Sequence, residues 1–415
     1  MGDHGYPHVV IAGGARTPIG VKCGTLAGFS PEDLAVLACE KAIRRSGIDR
    51  SKIDAAIGAN VYQYTAPGMQ DIYFPRNVAL RCRLNTEAPA LMVQRICGSG
   101  LQTVVSAFQM IALPRQVDDT DVVLCFGAET MSRTPQIVRA ERSRANFWEF
   151  KEGGRVEDTL LLGLNHDLAD TTMMGTADAY GARMGVTRDA CDRFAALSHM
   201  RARAAYRSSH VNGGDALGGM FAIDATDRGG QPVHLARDEC VRKCTVDDLA
   251  QLGGFTPNGL VSAGNASELS DGAAALLIAE RTRAEALGAA TRFEVAGYGV
   301  VGVEPRVMGR GPVPAVAQAL ARAGIKKEDV GLWEINEAFA AQYLGVEKEL
   351  GLDREITNVN GGAIAIGHPL AATGARLLVD LMYEMQRRDV RYACASACIG
   401  GGQGVAIVLR DTERG

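Results

Sequence analysis

Apolar and polar positions alternate along the chain in runs that predict strands and helices in turn. The apolar run Val9–Ala12, which ends at two glycines, predicts a buried strand. Ser30–Asp33 then predicts a helix start, because a serine cap is followed by proline in the first turn and by an acid three residues after the cap. Gly47 predicts the end of this helix, and Ile53–Val61 predicts the next strand. This alternation indicates an α/β layered domain.

The second half of the chain repeats the pattern of the first. In both halves a helical segment followed by Gly-Ile precedes a strand, at Ala35–Ser46 and again at Pro314–Ala323. The strand-like runs Asp121–Gly127 and Gly404–Leu409 close the two halves. The simplest explanation is a duplicated α/β unit, although small α/β units also look alike by chance.

The stretch between the halves, residues 129–265, is more polar and richer in Arg, Asp and His. It includes the helix-like segment Arg188–Ala205. Such a stretch predicts an inserted domain or lid that grips a large ligand. We therefore predict an N-terminal half at 1–128, an inserted loop domain at 129–265 and a C-terminal half at 266–415.

Composition and charge exclude several classes of protein. The 415 residues are 47% hydrophobic and 22% charged, which suits a globular protein with a large core. The net charge of −4 offers no basic surplus for a nucleic-acid partner, and no apolar run is long enough to span a membrane. The first residues lack the basic flank and apolar core of a signal peptide, so we expect a cytoplasmic protein. The 49 glycines predict many tight turns and close backbone approaches.

The ten cysteines are expected to be free thiols, because the chain is large and carries no export signal. Cys240 and Cys244 are four positions apart, as are Cys394 and Cys398. This spacing could suit a metal ion, but no histidine is close in sequence, so we expect no metal site.

Cys97 is the first candidate for chemistry. It directly precedes a Gly-Ser-Gly turn and a predicted helix. The free N–H groups and the dipole of a helix start favour a thiolate, which predicts a lowered pKa for Cys97. The same turn could direct N–H groups at an oxyanion formed on a thioester carbonyl. The alternative is a cysteine present only for its size.

Three further candidates lie at glycine-rich turns or strand ends. His368 lies between a glycine and Pro369, and could be a general base, an oxyanion donor or a structural histidine. Cys398 precedes three glycines whose N–H groups are free to bind an anion, although a flexible turn with an incidental cysteine also fits. Asn336 follows the predicted strand Leu332–Ile335, where sites form in α/β proteins; a helix N-cap is the alternative.

Taken together, these segments resemble the four signature motifs of the thiolases (acyl-CoA acetyltransferases), in the right order. The four motifs are Cys97–Gln102 (CGSGLQ), Asn336–Ala340 (NEAFA), Gly361–Pro369 (GGAIAIGHP) and Cys398–Gly404 (CIGGGQG). Ala15–Gly20 is similar to the N-terminal motif of the family, and Ser262–Ser267, followed by Asp271, is similar to its coenzyme A (CoA) loop. The resemblance spans nearly the whole chain.

Thiolases join or split a carbon–carbon bond between acyl groups carried on CoA. The resemblance implies a duplicated five-layer α/β/α/β/α fold with an inserted loop domain. It implies that Cys97 accepts the acyl group, that His368 activates Cys97, and that Cys398 moves a proton at the α-carbon of the second thioester. Asn336 would hold a water that forms one oxyanion hole with His368. The backbone N–H groups of Cys97 and Gly400 would form the other.

The resemblance also points to residues that bind CoA, which would be a substrate and product rather than a permanent cofactor. Ser267 and Ala263 would lie beside the pantetheine arm, and Arg242 near the adenine end. Thiolases that make acetoacetyl-CoA usually carry His-Met before a Gly-Thr pair, where this chain has Met173 and Met174. In lacking that histidine the chain resembles thiolases that act on longer 3-ketoacyl chains. We place Met174 among the ligand-binding residues.

The leading hypothesis is therefore an active 3-ketoacyl-CoA thiolase with ping-pong kinetics, expected as a homodimer or homotetramer, as is usual in the family. A ketoacyl-synthase-like condensing enzyme is one alternative, but such relatives carry a histidine or asparagine set where this chain has Cys398. A Cys-His pair would also suit a protease, which has no need of that second cysteine. A catalytically silent thiolase-fold protein that binds CoA or lipid is another alternative. The glycine-rich segments match neither the GxxxxGK(S/T) pattern nor a GxGxxG pattern on a strand, so a nucleotide-binding protein is disfavoured.

Overall fold

The computed structural model describes residues 7–63, 65, 71–139, 155–207, 219–227 and 229–414. The strands are β1 (Val9–Arg16), β2 (Gly20–Val21), β3 (Ala55–Ala59), β4 (Ala90–Met92), β5 (Val122–Thr130), β6 (Gln136–Arg139), β7 (Arg155–Asp158), β8 (Asn165–His166), β9 (Thr171–Thr172), β10 (Ile223–Thr226), β11 (Pro232–Leu235), β12 (Ser270–Glu280), β13 (Phe293–Gly302), β14 (Leu332–Ile335), β15 (Tyr392–Ile399) and β16 (Gln403–Asp411).

The α-helices alternate with these strands in both halves of the chain. They are α1 (Pro31–Ser46), α2 (Phe74–Arg81), α3 (Ser99–Ala112), α4 (Thr159–Leu162), α5 (Met173–Arg183), α6 (Arg188–Arg207), α7 (Val246–Ala250), α8 (Arg281–Ala286), α9 (Pro312–Ala323), α10 (Ala340–Leu350), α11 (Ala363–Ile366) and α12 (Leu370–Arg388). Across the described ranges, no helix combines the length and apolar character that a membrane crossing requires.

The predicted ends of the first elements are confirmed. Helix α1 begins after Ser30, whose side chain accepts the N–H of Asp33 in a capping box, and it ends at Gly47 with φ of 71°. Helix α9 ends in the same left-handed way at Gly324, with φ of 67°, which agrees with the repeat. Strand β1 is longer than the apolar run predicted and extends to Arg16, because every residue in it is buried.

The main sheet is mixed and contains ten strands. Its order is β14-β15-β16-β13-β1-β12-β5-β3-β4, and β2 pairs with β12. Helices α1 and α2 pack on the outer side of the first-half strands, α9 packs on the outer side of the second-half strands, and α3 and α12 pack together between the two sets. The five-layer α/β/α/β/α arrangement expected from the resemblance is thus confirmed.

The middle of the chain adds elements outside this sheet. Three short hairpins, β6–β7, β8–β9 and β10–β11, form separate two-stranded sheets. Helices α5 and α6 pack against α10 of the second half, where Phe194 stacks on Tyr343 with ring centroids 4.1 Å apart. These elements lie in the stretch that is predicted to be the inserted loop domain.

Strand β12 crosses the predicted division of the chain, because it pairs with strands of the first half. The domain boundaries themselves stay a prediction. Although its residues fall in the stretch 266–415, β12 lies between β1 and β5 and pairs antiparallel with both. The sheet of the first half therefore includes a strand that follows the inserted domain in the chain.

The two central helices cross at a pair of glycines. A Cβ atom on Gly100 of α3 would lie 2.4 Å from the backbone nitrogen of Ala375, and one on Gly374 of α12 would lie 2.2 Å from that of Leu101. Both distances are shorter than real Cβ contacts, so only glycine allows this approach. The crossing brings together the residues that precede the two helices.

Replacing Gly100 by alanine is expected to lower the free energy of unfolding by about 1–3 kcal/mol, because the added methyl group forces the two backbones apart. Urea unfolding followed by circular dichroism measures this change. Gly28→Ala is the matched control, since Gly28 is exposed and a Cβ there meets nothing within 4 Å. Equal stability of the two variants would contradict the proposed packing constraint.

Candidate active site

Cys97 lies in a short 3-10 turn, Ile96–Gly98, that leads directly into α3. The turn is strained, because Ile96 is a β-branched residue with φ of 45°. The Ser99 hydroxyl donates to the carbonyl of Ile96 at 2.7 Å and closes the turn. This geometry presents Cys97 at the N-terminal end of α3.

The thiol of Cys97 is less acidic than the helix position predicts. Burial raises the pKa of Cys97 to about 11, while the backbone N–H groups of Gly400 and of Cys97 itself act in the opposite direction. The expected lowering of this pKa is therefore wrong, because removing the thiolate from water outweighs the helix end. The contact with Gly400 shows that the first and last motifs meet at this thiol.

Cys398 lies on β15, one residue before the strand ends, and is fully buried. Burial raises its pKa well above the usual range, and the nearby Cys97 adds to this shift. After the strand, the chain turns sharply through Gly401 and Gly402, whose φ angles are 86° and 87°. The two cysteines therefore lie close enough to interact electrostatically, at the start of the triglycine turn, Gly400–Gly402.

Asn336 lies at the same edge of the sheet as Cys398. Strands β14 and β15 are parallel, with Ile335 opposite Ser396, and the N–H of Asn336 donates to the carbonyl of Ser396 at 2.9 Å. The alternative interpretation of Asn336 as a helix cap is wrong, because α10 begins only at Ala340. The carboxyl ends of neighbouring parallel strands therefore place this amide beside Cys398.

His368 is buried between Asn336 and Thr373. Its Nδ1 lies 2.7 Å from the hydroxyl of Thr373, and that hydroxyl donates its only proton to the carbonyl of Pro369 at 3.0 Å. Nδ1 must therefore carry the ring proton, and Nε2 is a bare acceptor. The amide Nδ2 of Asn336 lies 3.3 Å from that Nε2.

The Cys97 thiol and the His368 imidazole are uncharged at rest. Burial, aided by the positive charge of Arg376, lowers the pKa of His368 to about 3. With the pKa of Cys97 raised to about 11, the thiol and the imidazole are both neutral near pH 7. A buried atom, Oδ1 of Asn336, has no hydrogen-bond partner in the described part of the chain. Such an atom can bind a water or a substrate group.

A cavity of about 510 Å³ lies next to this group of residues. Arg242, Ala263 and Ser267, the three residues predicted to bind CoA along its length, all line it. The wall of the cavity continues to the site, since the carbonyl of Glu268 accepts the N–H of His368 at 3.2 Å. Leu269 of the same wall packs in an apolar cluster with Cys97 and Leu370.

Two residues that were not among the predicted site residues contact the site. Met173, rather than the predicted Met174, lies against the triglycine turn, with its Sδ 3.1 Å from where a Cβ of Gly400 would be. Met174 packs in the apolar cluster around Cys398, and its contact with ligand stays a prediction. Thr373, which fixes the ring proton of His368, was noted only as part of a motif.

The buried carboxyl group of Glu129 joins backbone segments around the site. It accepts the N–H groups of Val61 and Tyr62 and that of Ala371 at the start of α12. Burial raises its pKa to about 7. Its partners lie far apart in sequence, so no local pattern could have identified it.

The cysteine pairs with metal-like spacing, Cys240/Cys244 and Cys394/Cys398, lie in apolar parts of the structure. Nowhere in the residues it describes do three or more His, Cys, Asp or Glu side chains form a group able to hold an ion. Cys240 lies in a small apolar cluster and Cys394 in the core of the second half. The absence of a metal stays an expectation.

Two family models match the chain. The model of the thiolase N-terminal domain matches residues 9–282, and that of the thiolase C-terminal domain matches residues 290–411. Together they span most of the chain.

Characterised relatives match over nearly the full length. The chain is 38% identical to the mitochondrial 3-ketoacyl-CoA thiolase of Bos taurus over 97% of this chain and 98% of the relative. It is 39% identical to beta-ketothiolase BktB of Cupriavidus necator and to an acetyl-CoA acetyltransferase of Pseudomonas aeruginosa, each over 97% of this chain and 98% of the relative.

Solved structures agree with these relatives. The crystal structure of human mitochondrial 3-ketoacyl-CoA thiolase aligns with a TM-score of 0.90 at 38% identity, covering 98% of this chain and 99% of that one. The structure of that enzyme in complex with CoA aligns with a TM-score of 0.89 at 37% identity, covering 98% of each chain. The chain therefore belongs to the thiolase family of acyltransferases.

Proposed function

We propose that this protein is a 3-ketoacyl-CoA thiolase that works through an acyl group on Cys97. It cleaves a 3-ketoacyl-CoA with CoA to give acetyl-CoA and a shortened acyl-CoA, or runs the reverse condensation. The observation that carries the proposal is that the N–H of Gly400 and the thiol of Cys398 both lie close to Cys97, while Glu268 in the cavity wall accepts the backbone N–H of His368.

The first half-reaction forms the acyl-enzyme. Nε2 of His368, the bare nitrogen, accepts the thiol proton of Cys97 as its sulfur attacks the 3-keto carbon. The bond between C2 and C3 then breaks, and the electron pair passes to C2 of the departing acetyl-CoA. Cys398 supplies the proton that C2 takes up. In the second half-reaction the thiol of CoA gives its proton to the Cys398 thiolate and attacks the acyl carbon, and the bond to Cys97 breaks as its sulfur takes back the proton held by His368.

Two oxyanion sites suit the two carbonyl groups involved. The N–H groups of Cys97 and Gly400 lie at the thiol and can stabilise the oxyanion of the tetrahedral intermediate on Cys97. Asn336 can hold a water through its unpaired Oδ1, and this water and His368, once its Nε2 has accepted the thiol proton, can stabilise the enolate of acetyl-CoA. These donors are fixed by backbone and buried contacts before substrate arrives.

CoA is the substrate and product that the cavity accommodates. Arg242 is held at the cavity by Glu268, with Nη1 and Oε1 2.5 Å apart, and can pair with phosphate groups at the adenine end. Ser267 and Ala263 line the wall along which the pantetheine arm would run towards Cys97. We propose that no other cofactor is bound permanently.

We also propose a homodimer or homotetramer in the cytoplasm. The oligomer is supported by β4, the last strand at one edge of the sheet, where Leu91 is 50% exposed. An apolar edge strand of this kind is typical of a surface that another chain covers.

Two alternatives are less well supported. A decarboxylating condensing enzyme has no use for the buried thiol of Cys398 beside Cys97. A silent CoA- or lipid-binding protein has no need of an imidazole whose ring proton is fixed by Thr373. Turnover of a malonyl thioester would favour the first alternative, and CoA binding without any acyl transfer would favour the second.

Cys97→Ala is expected to abolish the acyl-enzyme, because the sulfur that accepts the acyl group is absent. Wild-type protein mixed with acetyl-CoA should gain one acetyl group on the peptide that contains Cys97, as measured by mass spectrometry. Cys23→Ser is the control, since Cys23 is exposed and lies outside the site. An acetylated Cys97→Ala protein with normal turnover would refute the mechanism.

Alkylation of Cys97 by iodoacetamide is expected to be slow at neutral pH and to accelerate through the alkaline range. The thiolate is the reactive form, and burial raises the pKa of Cys97 to about 11, so the reactive fraction grows until that pH. Peptide mapping in a Cys23→Ser background measures the rate across pH. A rate that is already maximal in weak acid would instead show a lowered pKa.

Met173→His is expected to reduce activity on long 3-ketoacyl chains more than on acetoacetyl-CoA, since a polar ring replaces an apolar side chain beside Gly400. The ratio of kcat/KM for a long chain to that for acetoacetyl-CoA should fall roughly tenfold or more. Met174→Leu, which keeps an apolar side chain, is the control. An unchanged ratio would contradict the proposed preference for long chains.

A further inference from the structure

Three polar side chains of the motif regions have no part in the reaction above, and they contact one another. Nη1 of Arg95 donates to Oε1 of Gln403 at 2.6 Å, and Nε of Arg95 donates to Oε1 of Gln102 at 2.8 Å. Arg95 and Gln403 are 308 positions apart, so their contact joins the two halves of the chain.

The contact lies at the base of both reactive turns. Arg95 is two residues before Cys97, and Gln403 directly follows the triglycine turn that begins at Gly400. The backbone N–H of Gly400, at the start of that turn, acts on the thiol of Cys97. A hydrogen bond at this place sets the separation of the two turns.

The Cys97 turn needs such a restraint because its backbone is strained. A β-branched residue such as Ile96, with φ of 45°, persists only where the surroundings hold it. The N–H of Arg95 donates to the hydroxyl of Ser99 at 2.8 Å, which ties the turn to α3. Its guanidinium then ties the same turn to the second half of the protein.

The charge of Arg95 is directed at amide oxygens alone. Within the described ranges, no carboxylate forms an ion pair with it. Hydrogen bonds from a charged donor are stronger than neutral ones, and the planar guanidinium fixes the two acceptors at a set angle. Lysine cannot bind both acceptors in this planar arrangement, because its ammonium group is a compact point charge.

We propose that Arg95 and Gln403 are positioning residues that form a clamp between the Cys97 turn and the triglycine turn. The clamp holds the N–H of Gly400 where the oxyanion forms on the acyl carbon. It rests on the proposed function, because the separation of these turns matters only if an acyl group is transferred there.

A double-mutant cycle tests the clamp. In cleavage of acetoacetyl-CoA, Arg95→Met and Gln403→Leu should each lower kcat roughly 10- to 100-fold, since a small misplacement of reacting groups is enough for such a loss. The double variant should lose no more than the worse single one, because each single variant already removes the hydrogen bond between Arg95 and Gln403. KM for CoA should stay unchanged, since neither residue lines the CoA cavity.

Two further variants separate positioning from general stability. Gln403→Glu keeps an acceptor for Arg95 and should retain most of kcat. Gln109→Leu is the matched control, because it removes another hydrogen bond between α3 and the second half, that of Nε2 to the hydroxyl of Tyr298. It should leave kcat unchanged. If Arg95→Met does not fold, the two Gln403 variants carry the test.

Alkylation of Cys97 gives an independent readout. Loss of the clamp should shift its pH profile upward, since the N–H of Gly400 moves away from the thiol, and Gln109→Leu should leave the profile in place. Single variants with unchanged kcat, or losses that multiply in the double variant, would overturn the clamp. A wild-type protein that forms no acyl-enzyme would instead refute the proposed function.

Discussion

The close crossing of α3 and α12 is the constraint on which the rest of the site depends. Gly100 and Gly374 let the two backbones touch, and both helices begin at this contact. Cys97 precedes the first helix and His368 precedes the second, so one crossing brings a residue from each half to the same place. In the proposed mechanism the repeated unit thus supplies the nucleophile once and the base once, in related positions.

Burial gives the site its resting state. It removes charge from the two thiols and from the imidazole together, by raising the pKa of the cysteines and lowering that of His368. The fixed donors, which are the N–H groups at Cys97 and the group around Asn336, therefore meet no negative charge on the two thiols. Charge arises only when a carbonyl is attacked, which is when such donors lower the barrier.

Local sequence is enough to predict some structural features but not others. The ends of α1 could be predicted because the cap at Ser30 and the glycine at Gly47 act on their own neighbours. The pKa of Cys97 could not, because it depends on how deeply distant segments bury the thiol. Glu129 was missed for the same reason, since Ala371, one of its partners, is 242 positions away. The motifs identified the site, and tertiary contacts decide its electrostatics.

The place of β12 in the sheet has a consequence for synthesis on the ribosome. Strands β1 and β5 both pair with β12, yet the whole inserted domain is translated before β12 appears. During that interval the nascent chain exposes two unpaired apolar edges, which invite pairing with other chains. Contacts between such distant segments also form slowly. The newborn polypeptide is therefore most vulnerable to aggregation midway through translation, when a chaperone would protect it best.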